Sequence, residues 1–152
     1  MFKLHSRLKE DCHILGQSEL SLLLLMNDLR YPWFIMVPKR PDIKEIFQLS
    51  GEDQLQLARE SANLAFALST AFKGDKINIA SLGNVVSQLH IHHIVRFKND
   101  PAWPGPVWGH SKAIPYADEA REMITGKIKA QLKKDFNFCR GAAGLGDHSE
   151  NE

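Results

Sequence analysis

The sequence predicts an α+β domain in which an antiparallel sheet of about five strands carries two main helices on one face. Short apolar runs bounded by turn residues indicate strands, and two longer stretches with a three-to-four-residue apolar period indicate helices. The elements follow the order strand, strand, helix, strand, strand, helix. Because strands adjacent in the chain usually pair, this order favours an antiparallel sheet over a doubly wound parallel one.

The first two strands are predicted at residues 20–28 and 33–38. The segment LSLLLLMND is apolar and ends in the turn pair Asn27-Asp28, so it indicates a buried strand, with a short helix as the alternative. The run WFIMVP is closed by Pro38 and indicates a second strand. The short connection between the two predicts an antiparallel hairpin.

A long helix is predicted over residues 50–72. Ser50 followed by Asp53 is typical of a helix N-cap with an acidic residue in the first turn. Gly74 is expected to end the helix as its C-cap. The apolar face of the helix is expected to contain Leu55, Ala58, Ala62, Ala65, Leu68 and Phe72.

The second half of the domain begins with a return to the strand period. KINIASLG (residues 76–83) and VVSQLHIHHIVRF (residues 85–97) are predicted strands, the latter central to the sheet. The segment NDPAWPGPVWG has three prolines and two glycines and is predicted to be a loop. A second helix is predicted over Tyr116–Phe136. Its apolar stripe is expected to contain Ala120, Met123, Ile124, Ile128 and Leu132.

Length and composition fit one globular domain. The 152 residues are 43% apolar and 24% charged, so we expect a single domain over residues 1–138. Residues 139–152 end in the small and polar sequence GAAGLGDHSENE and are predicted to form a flexible C-terminal tail.

Charge and cysteine content exclude several classes. The net charge of +1 lacks the basic excess of a general nucleic-acid binder, so no nucleic-acid partner is expected. Cys12 and Cys139 are too few for a disulfide framework and are expected to be free thiols in a reducing compartment. Charges interrupt the N-terminal segment every few residues, so it lacks the continuous apolar core of a secretory signal peptide. The apolar run Leu22–Met26 is far shorter than the ~20 residues of a membrane span. We therefore expect a cytoplasmic protein without a membrane partner.

Imidazole and amide side chains alternate near the centre of the last predicted strand. In a strand, Gln88, His90 and His92 share one face at a spacing of about 6.6–6.8 Å, and His93 points to the other face. The residues alone leave three interpretations of His90 and His92: surface histidines, two metal ligands, or a catalytic nucleophile beside a phosphate-binding group. Zinc needs three or four ligands, and further candidates could join only through folding.

The segment GNVVSQLHIHHIVR, which begins at Gly83, resembles the signature of the histidine triad (HIT) family. That signature has a Gly-Gln-x-Val-x lead-in followed by His-φ-His-φ-His-φ-φ, where φ is apolar. Gly83 and Val86 match directly, and Asn84 replaces the family's glutamine. Together with LLLMND, RYPW, MVPKR and PAWPGPVWG, the resemblance covers roughly residues 20–100 and points to a bacterial branch of short HIT hydrolases.

The resemblance implies a nucleotide hydrolase or transferase. His90 takes the place of the central, nucleophilic histidine and is expected to attack the α-phosphorus of a dinucleoside polyphosphate or a nucleoside phosphoramidate. A nucleotidyl-His90 intermediate then releases a nucleoside monophosphate to water. The attacking nitrogen must be unprotonated, so the other ring nitrogen of His90 is expected to donate to a backbone carbonyl. His92, in the place of the third histidine, is the second catalytic residue.

The resemblance also implies the nucleotide-binding residues. Asn84 and Gln88 are expected to hold phosphate oxygens beside His92, and Asn27 and Asp28 to bind ribose hydroxyls unless they form only a turn. The expected partner is a purine nucleotide or nucleotide conjugate, and no metal or other cofactor is needed.

The sequence departs from the family pattern at three positions. Gln88 replaces the first histidine of the triad, Val85 stands where many relatives carry Ser or Thr, and Trp33 stands where relatives often have His. Gln88 and Val85 keep one alternative open, a mononucleotide sensor without turnover. A metal-binding module of His90, His92 and His93 is a second alternative, but the alternating directions of these histidines argue against it. His93 is otherwise expected to be structural.

The resemblance further implies a homodimer, because HIT relatives are usually homodimers. Trp103 and Trp108 lie in the Pro/Gly loop. We expect them at the dimer contact rather than over the base of a nucleotide.

Overall fold

The chain forms a six-stranded antiparallel sheet that is covered on both faces. The computed structural model describes residues 1–132, 134 and 136–139. The elements are α1 (Ser6–Asp11), β1 (Cys12–Gln17), β2 (Ser21–Met26), β3 (Trp33–Pro38), a 3₁₀ turn (Ile46–Gln48), α2 (Gly51–Phe72), β4 (Lys76–Ala80), β5 (Ile91–Arg96), α3 (Asp118–Gln131) and β6 (Asn137–Phe138). The strand order across the sheet is β4-β5-β3-β2-β1-β6, which confirms the predicted α+β class.

The described sheet has six strands against about five predicted, and neither β1 nor β6 was located from the sequence. β6 contains only two residues, and it pairs with Gly16 and Gln17 at the outer edge of β1. The backbone N–H of Cys139 then donates to the carbonyl of Leu15 at 2.8 Å. The flexible tail predicted over residues 139–152 lies, apart from Cys139, outside the described residues.

The predicted hairpin is confirmed and forms the centre of the sheet. β2 and β3 pair antiparallel, with Leu24 opposite Ile35. Both strands read as continuous apolar runs because they are buried on both faces. On one face, Phe34 packs in a cluster with residues of α2 and α3, and on the other, Ile35 packs with α1 and the loop after β5.

The long helix begins where the sequence predicted, but its end differs. The Ser50 hydroxyl accepts a hydrogen bond from the Asp53 N–H at 3.1 Å, which confirms the N-cap. Lys73, with φ +52°, is the left-handed C-cap, so the prediction of a glycine cap is wrong. Gly74 is needed for a different reason, since a Cβ there would lie 2.4 Å from Val95 Cγ1 and 2.9 Å from the Arg96 carbonyl oxygen.

The predicted apolar face of α2 only partly coincides with the core. Leu68 is buried as expected, and it shares the core face with Leu57, Leu64 and Ala67. The helix carries a second apolar stripe, which faces away from the sheet. This exposed stripe contains Leu55, Ala58, Ala62 and Phe66.

The later elements are shorter than predicted. β5 begins at Ile91, and the residues between β4 and β5 have irregular structure. The prediction that this strand is central is wrong, because β5 lies second from one edge of the sheet, between β4 and β3. α3 spans Asp118–Gln131 instead of Tyr116–Phe136, because Ala117 is extended at the N-cap and the chain leaves the helical conformation at Leu132. Ile128 and Leu132 are buried as predicted, whereas Ala120 and Met123 are exposed.

Two predictions from composition can be compared with the structure. Cys12 is buried and Cys139 exposed, and both are free thiols, as predicted. Within the described part of the chain, no helix combines the length and apolar character that crossing a bilayer requires.

Candidate functional site

His90 and His92 line a cavity of about 310 Å³ on the face of the sheet opposite α2 and α3. The rest of its wall comes from α1, from the end of β2, from the middle of β3, from the segment before β5 and from the loop after β5. The contributing side chains include Arg7, Leu8, Met26, Ile35, Val86 and Trp108. The cavity is therefore mostly apolar, and its polar groups are the two imidazoles, the Arg7 and Asp11 side chains of α1 and Asn84.

Strand pairing explains why two neighbouring histidines lie on opposite faces. His92 pairs with Ile35 and shares its face, whereas His93 pairs with Phe34 and faces the helices. His93 is fully buried there, with Nδ1 bonded to the Ile91 carbonyl at 3.1 Å and Nε2 accepting from the Ser61 hydroxyl at 2.7 Å. Burial lowers the pKa of His93 to about 4, so its ring is neutral near pH 7. This position confirms that His93 lies away from the candidate site.

His90 is held by the backbone immediately before it. Its Nδ1 lies 2.7 Å from the Gln88 carbonyl oxygen, which can only accept, so Nδ1 carries a proton. In the neutral ring, Nε2 is then the unprotonated nitrogen. The predicted bond from His90 to a backbone carbonyl is thus present, and it leaves a lone pair on a ring that lines the cavity.

The His92 ring lies beside the His90 ring, with the ring centroids 4.9 Å apart in an edge-on arrangement. Its Nδ1 accepts a hydrogen bond of 2.9 Å from the indole Nε1 of Trp33, and Trp108 packs edge-on at 5.1 Å. Burial, together with the repulsion between a protonated His92 and the protonated forms of His90 and His93, lowers the pKa of His92 to about 3. His92 is therefore neutral near pH 7, with its proton on Nε2.

Of the two predicted phosphate-binding residues, the structure brings Asn84 to the cavity but not Gln88. Asn84 follows Gly83, whose φ of +73° turns the chain along the cavity wall. The Gln88 amide instead bonds to the N-terminal segment. Its Oε1 accepts from the His5 N–H, and its Nε2 donates to the Lys3 carbonyl, both at 2.9 Å.

Asn27 and Asp28 lie just beyond Met26, which is the last residue of β2 and lines the cavity. The side-chain amide oxygen of Asn27 (Oδ1) accepts a hydrogen bond from the backbone N–H of Tyr116 at 2.9 Å. Asp28 is buried and is held by Arg30 at 2.7 Å. Burial opposes ionisation of Asp28, but the hydrogen bonds from Arg30 and Ile114 outweigh it and keep the pKa of this carboxyl below its usual value. The side chains of Asn27 and Asp28 are thus bonded within the protein beside the cavity.

Sequence reasoning missed two contributors to the site. The first is α1, which brings Arg7 and Asp11 to the cavity as an ion pair of 2.7 Å. Their spacing of four residues is a helical signal, but nothing in the sequence connects this helix with the histidines. The second is the role of Trp33, which the sequence left open between lining the pocket and filling the core, and whose bond to His92 depends on the pairing of β3 with β5.

The directions of His90, His92 and His93 test whether the three could bind one metal ion together. His90 and His92 face the cavity, while His93 is bonded to Ser61 on the other side of the sheet. Among the described residues, no group of three or more His, Cys, Asp or Glu side chains is placed to hold a metal ion.

The chain is similar to known proteins over most of its length. The sequence profile of the HIT domain matches residues 7–99, whereas the comparison with curated proteins finds no match. A histidine triad protein from Marinobacter aquaeolei VT8 is 49% identical, with a TM-score of 0.86 over 88% of this chain and 97% of that one. A histidine triad protein from Sinorhizobium meliloti 1021 is 45% identical, with a TM-score of 0.85 over 87% and 98%.

A third similar structure is a histidine triad protein from Bradyrhizobium japonicum. It is 41% identical, with a TM-score of 0.85, and the match covers 86% of this chain and 98% of that one. The profile match contains the whole segment around His90 and His92, and the three structures share the fold that forms the cavity. The chain therefore belongs to the histidine triad family.

Proposed function

We propose that this protein cleaves a nucleotide conjugate at its α-phosphate through a nucleotidyl-His90 intermediate and releases a nucleoside monophosphate. The observation that carries the proposal is the bond from His90 Nδ1 to the Gln88 carbonyl oxygen. It leaves Nε2 as a nucleophilic nitrogen in a ring only 6% exposed. The family's general character, that of nucleotide-binding hydrolases and transferases, supports the same chemistry.

The proposed reaction has two displacement steps. In the first, the Nε2 lone pair of His90 forms a bond to the α-phosphorus, and the bond to the leaving group breaks with its electron pair. In the second, water attacks the phosphorus, the phosphorus–nitrogen bond breaks, and the electron pair returns to Nε2. The proton lost by the water goes to solvent. Phosphoryl transfer of this kind depends mostly on positioning and on stabilising charge at the equatorial oxygens.

The phosphate oxygens are proposed to bind to donors beside His90. His92 presents an Nε2–H group that needs no proton transfer, because the ring stays neutral near pH 7. Asn84 lines the same cavity and supplies amide N–H groups. Gln88 acts through its backbone carbonyl on His90, while its side chain ties the N-terminal segment to the site.

The ribose is proposed to bind near the end of β2. Asn27 uses its side-chain oxygen Oδ1 to accept the hydrogen bond from Tyr116. We therefore assign the N–H groups of its side-chain amide to a ribose hydroxyl. Asp28 is buried in its pair with Arg30 and is assigned to shaping this turn. The apolar cavity wall, including Met26 and Ile35, suits a purine base.

A homodimer is proposed on the basis of two exposed features near one edge of the molecule. The outward stripe of α2 includes Leu55 and Phe66, with exposed fractions of 61% and 76%. β4 is one of the two edge strands of the described sheet and exposes Ile79. Exposed apolar surface and an unpaired strand edge both favour association with a second copy. Trp103 and Trp108, expected at such a contact, are both half-buried. Within the chain, Trp108 packs against Trp33 and His92, and Trp103 packs on the guanidinium of Arg96.

A sensor that binds mononucleotides without turnover is the second candidate, and Val85 favours it. This side chain lines the cavity with an exposed fraction of 82%, and it offers no hydroxyl donor to a leaving group. An enzyme at this site must rely on other groups to assist departure.

Turnover distinguishes the two candidates. Wild-type protein and His90→Ala are incubated with diadenosine tetraphosphate and with an adenosine phosphoramidate, and AMP is measured by chromatography. The hydrolase predicts AMP from the wild type alone, and the faster substrate identifies the leaving group. Circular dichroism checks that the variant is folded, and AMP binding is measured in parallel. Binding of AMP without release of AMP from either substrate contradicts the hydrolase and supports the sensor.

A further inference from the structure

Trp33 and His92 are joined by a hydrogen bond buried beneath the cavity. An indole N–H donates and cannot accept, so His92 Nδ1, at 2.9 Å, must be the acceptor. We infer that Trp33 is a positioning residue that holds His92 as its neutral Nε2–H tautomer, so that His92 presents a fixed donor to an oxygen of the α-phosphate. The phosphate contact rests on the proposed function, whereas the tautomer rests on the geometry alone.

The indole is fixed in place by its surroundings. Trp33 is the first residue of β3, buried, and two positions before Ile35, which pairs with His92. Tyr31 and Trp108 pack edge-on against its ring, with centroids 6.4 Å and 5.9 Å away. Since these contacts restrict rotation of the ring, the direction of the indole N–H is set before any ligand binds.

The bond from Trp33 also opposes protonation of His92. An imidazolium carries protons on both nitrogens, so its Nδ1–H would face the indole N–H donor to donor. The titratable groups nearest in the structure are His90 before β5 and His93 on its other face, and α1 contributes the Arg7–Asp11 pair to the cavity wall. The two tryptophans packed on the ring, Trp33 and Trp108, are uncharged.

The two site histidines therefore have opposite tautomers with complementary tasks. His90 is protonated on Nδ1, bonded to the Gln88 carbonyl, and has its lone pair on Nε2. His92 accepts on Nδ1 and carries its proton on Nε2. One ring thus supplies the nucleophile and the other a hydrogen-bond donor, and His92 has no proton to gain or lose during the reaction.

Nitrogen-15 NMR tests the assignment directly. Long-range proton–nitrogen spectra distinguish the two tautomers of His92 in the wild type, in Trp33→Phe and in Trp108→Phe. The matched control Trp108→Phe removes an indole that packs on the same ring without a hydrogen bond to it. We expect the Nε2–H tautomer in the wild type and in Trp108→Phe. In Trp33→Phe we expect a mixture of tautomers and a ring that titrates closer to the usual range for histidine, about pH 6.5.

Kinetics test the positioning role. Trp33→Phe should lower kcat about tenfold, the loss expected for one hydrogen bond, with little change in KM. The Nδ1–H tautomer in the wild type, or an unchanged His92 spectrum in Trp33→Phe, overturns the assignment. An unchanged kcat in a variant whose His92 tautomer has shifted overturns the positioning role.

Two features keep the test decisive. If Trp33→Phe does not fold, site-specific incorporation of benzothienylalanine at position 33 keeps the shape of the indole and replaces only its N–H by sulfur. The spectra require no turnover, so the absence of wild-type hydrolysis counts against the proposed function and leaves the tautomer assignment to be decided by NMR.

Discussion

Removing the carboxylate of Asp100 should destabilise the domain strongly, because its partner is a buried charge. Arg96, with an exposed fraction of 1%, bonds to both Asp100 oxygens at 2.8 Å and 3.0 Å and to Asn78 at 2.9 Å. Its guanidinium lies between the rings of Tyr31 and Trp103, at 5.9 Å and 5.7 Å. Water has little access to this cation.

The magnitude follows from that burial. Asp100→Ala leaves the Arg96 guanidinium buried without its counter-charge, and breaking such a pair costs about 3–5 kcal/mol of unfolding free energy. The same carboxylate also accepts the backbone N–H groups of Phe97, Ala102 and Trp103, so the loop that leads to Trp108 loses its anchor. At this chain length the cost corresponds to a fall in Tm of roughly 6–20 °C.

Urea denaturation of three proteins tests the reasoning. Asp11→Ala is the matched control, because it opens the exposed Arg7–Asp11 pair of similar length and should change stability very little. The double variant Arg96→Met/Asp100→Ala removes the buried charge as well, so it should lose less stability than Asp100→Ala alone. If Asp100→Ala costs no more than Asp11→Ala, the argument from burial is refuted.

Two further predictions concern pH and association. The buried His93 has a folded-state pKa of about 4, below its ordinary value, so the unfolded chain takes up its proton first as pH falls. Stability should therefore be complete above about pH 6.5 and decrease between about pH 6.5 and 4. Urea titrations should show a loss on the order of 3 kcal/mol from this residue, and His93→Gln should flatten the slope. For association, Phe66→Asp on the exposed face of α2 should convert a dimer to monomers in light scattering, whereas Glu52→Asp should not; a dimer that survives Phe66→Asp contradicts this interface.

Local patterns predicted four of the six described strands and the faces of His92 and His93, but not which helix face would meet the sheet. The alternation placed His92 and His93 correctly, because both lie in β5 and the period of a strand is a property of the backbone. His90 and Gln88 precede β5, and of these two only His90 lines the cavity. α2 has two apolar stripes, and the three-to-four-residue spacing of apolar residues predicted the one that contains Leu55 and Ala62 as the core face. The core instead took the opposite face, including Leu57 and Leu64, since the choice depends on tertiary packing.

In the candidate site, too, a contact between neighbours in the sequence was predictable, whereas contacts between residues far apart in the sequence were not. The Nδ1–H bond of His90 was predictable because its acceptor lies two residues away. The Trp33 bond to His92 and the Gln88 bonds to Lys3 and His5 join residues far apart in the sequence. Such contacts depend on strand pairing and on where the N-terminal segment packs, and neither leaves a periodic signal.

β5 combines two tasks that depend on its register. His92 faces the cavity only while it pairs with Ile35, and a shift of one residue would place His93 there and bury His92 beneath α2. The bond between Ser61 and His93 opposes such a shift, because it ties α2 to the strand on the face away from the cavity. The structural histidine thereby helps to hold the site histidine in place, although it contacts nothing in the cavity.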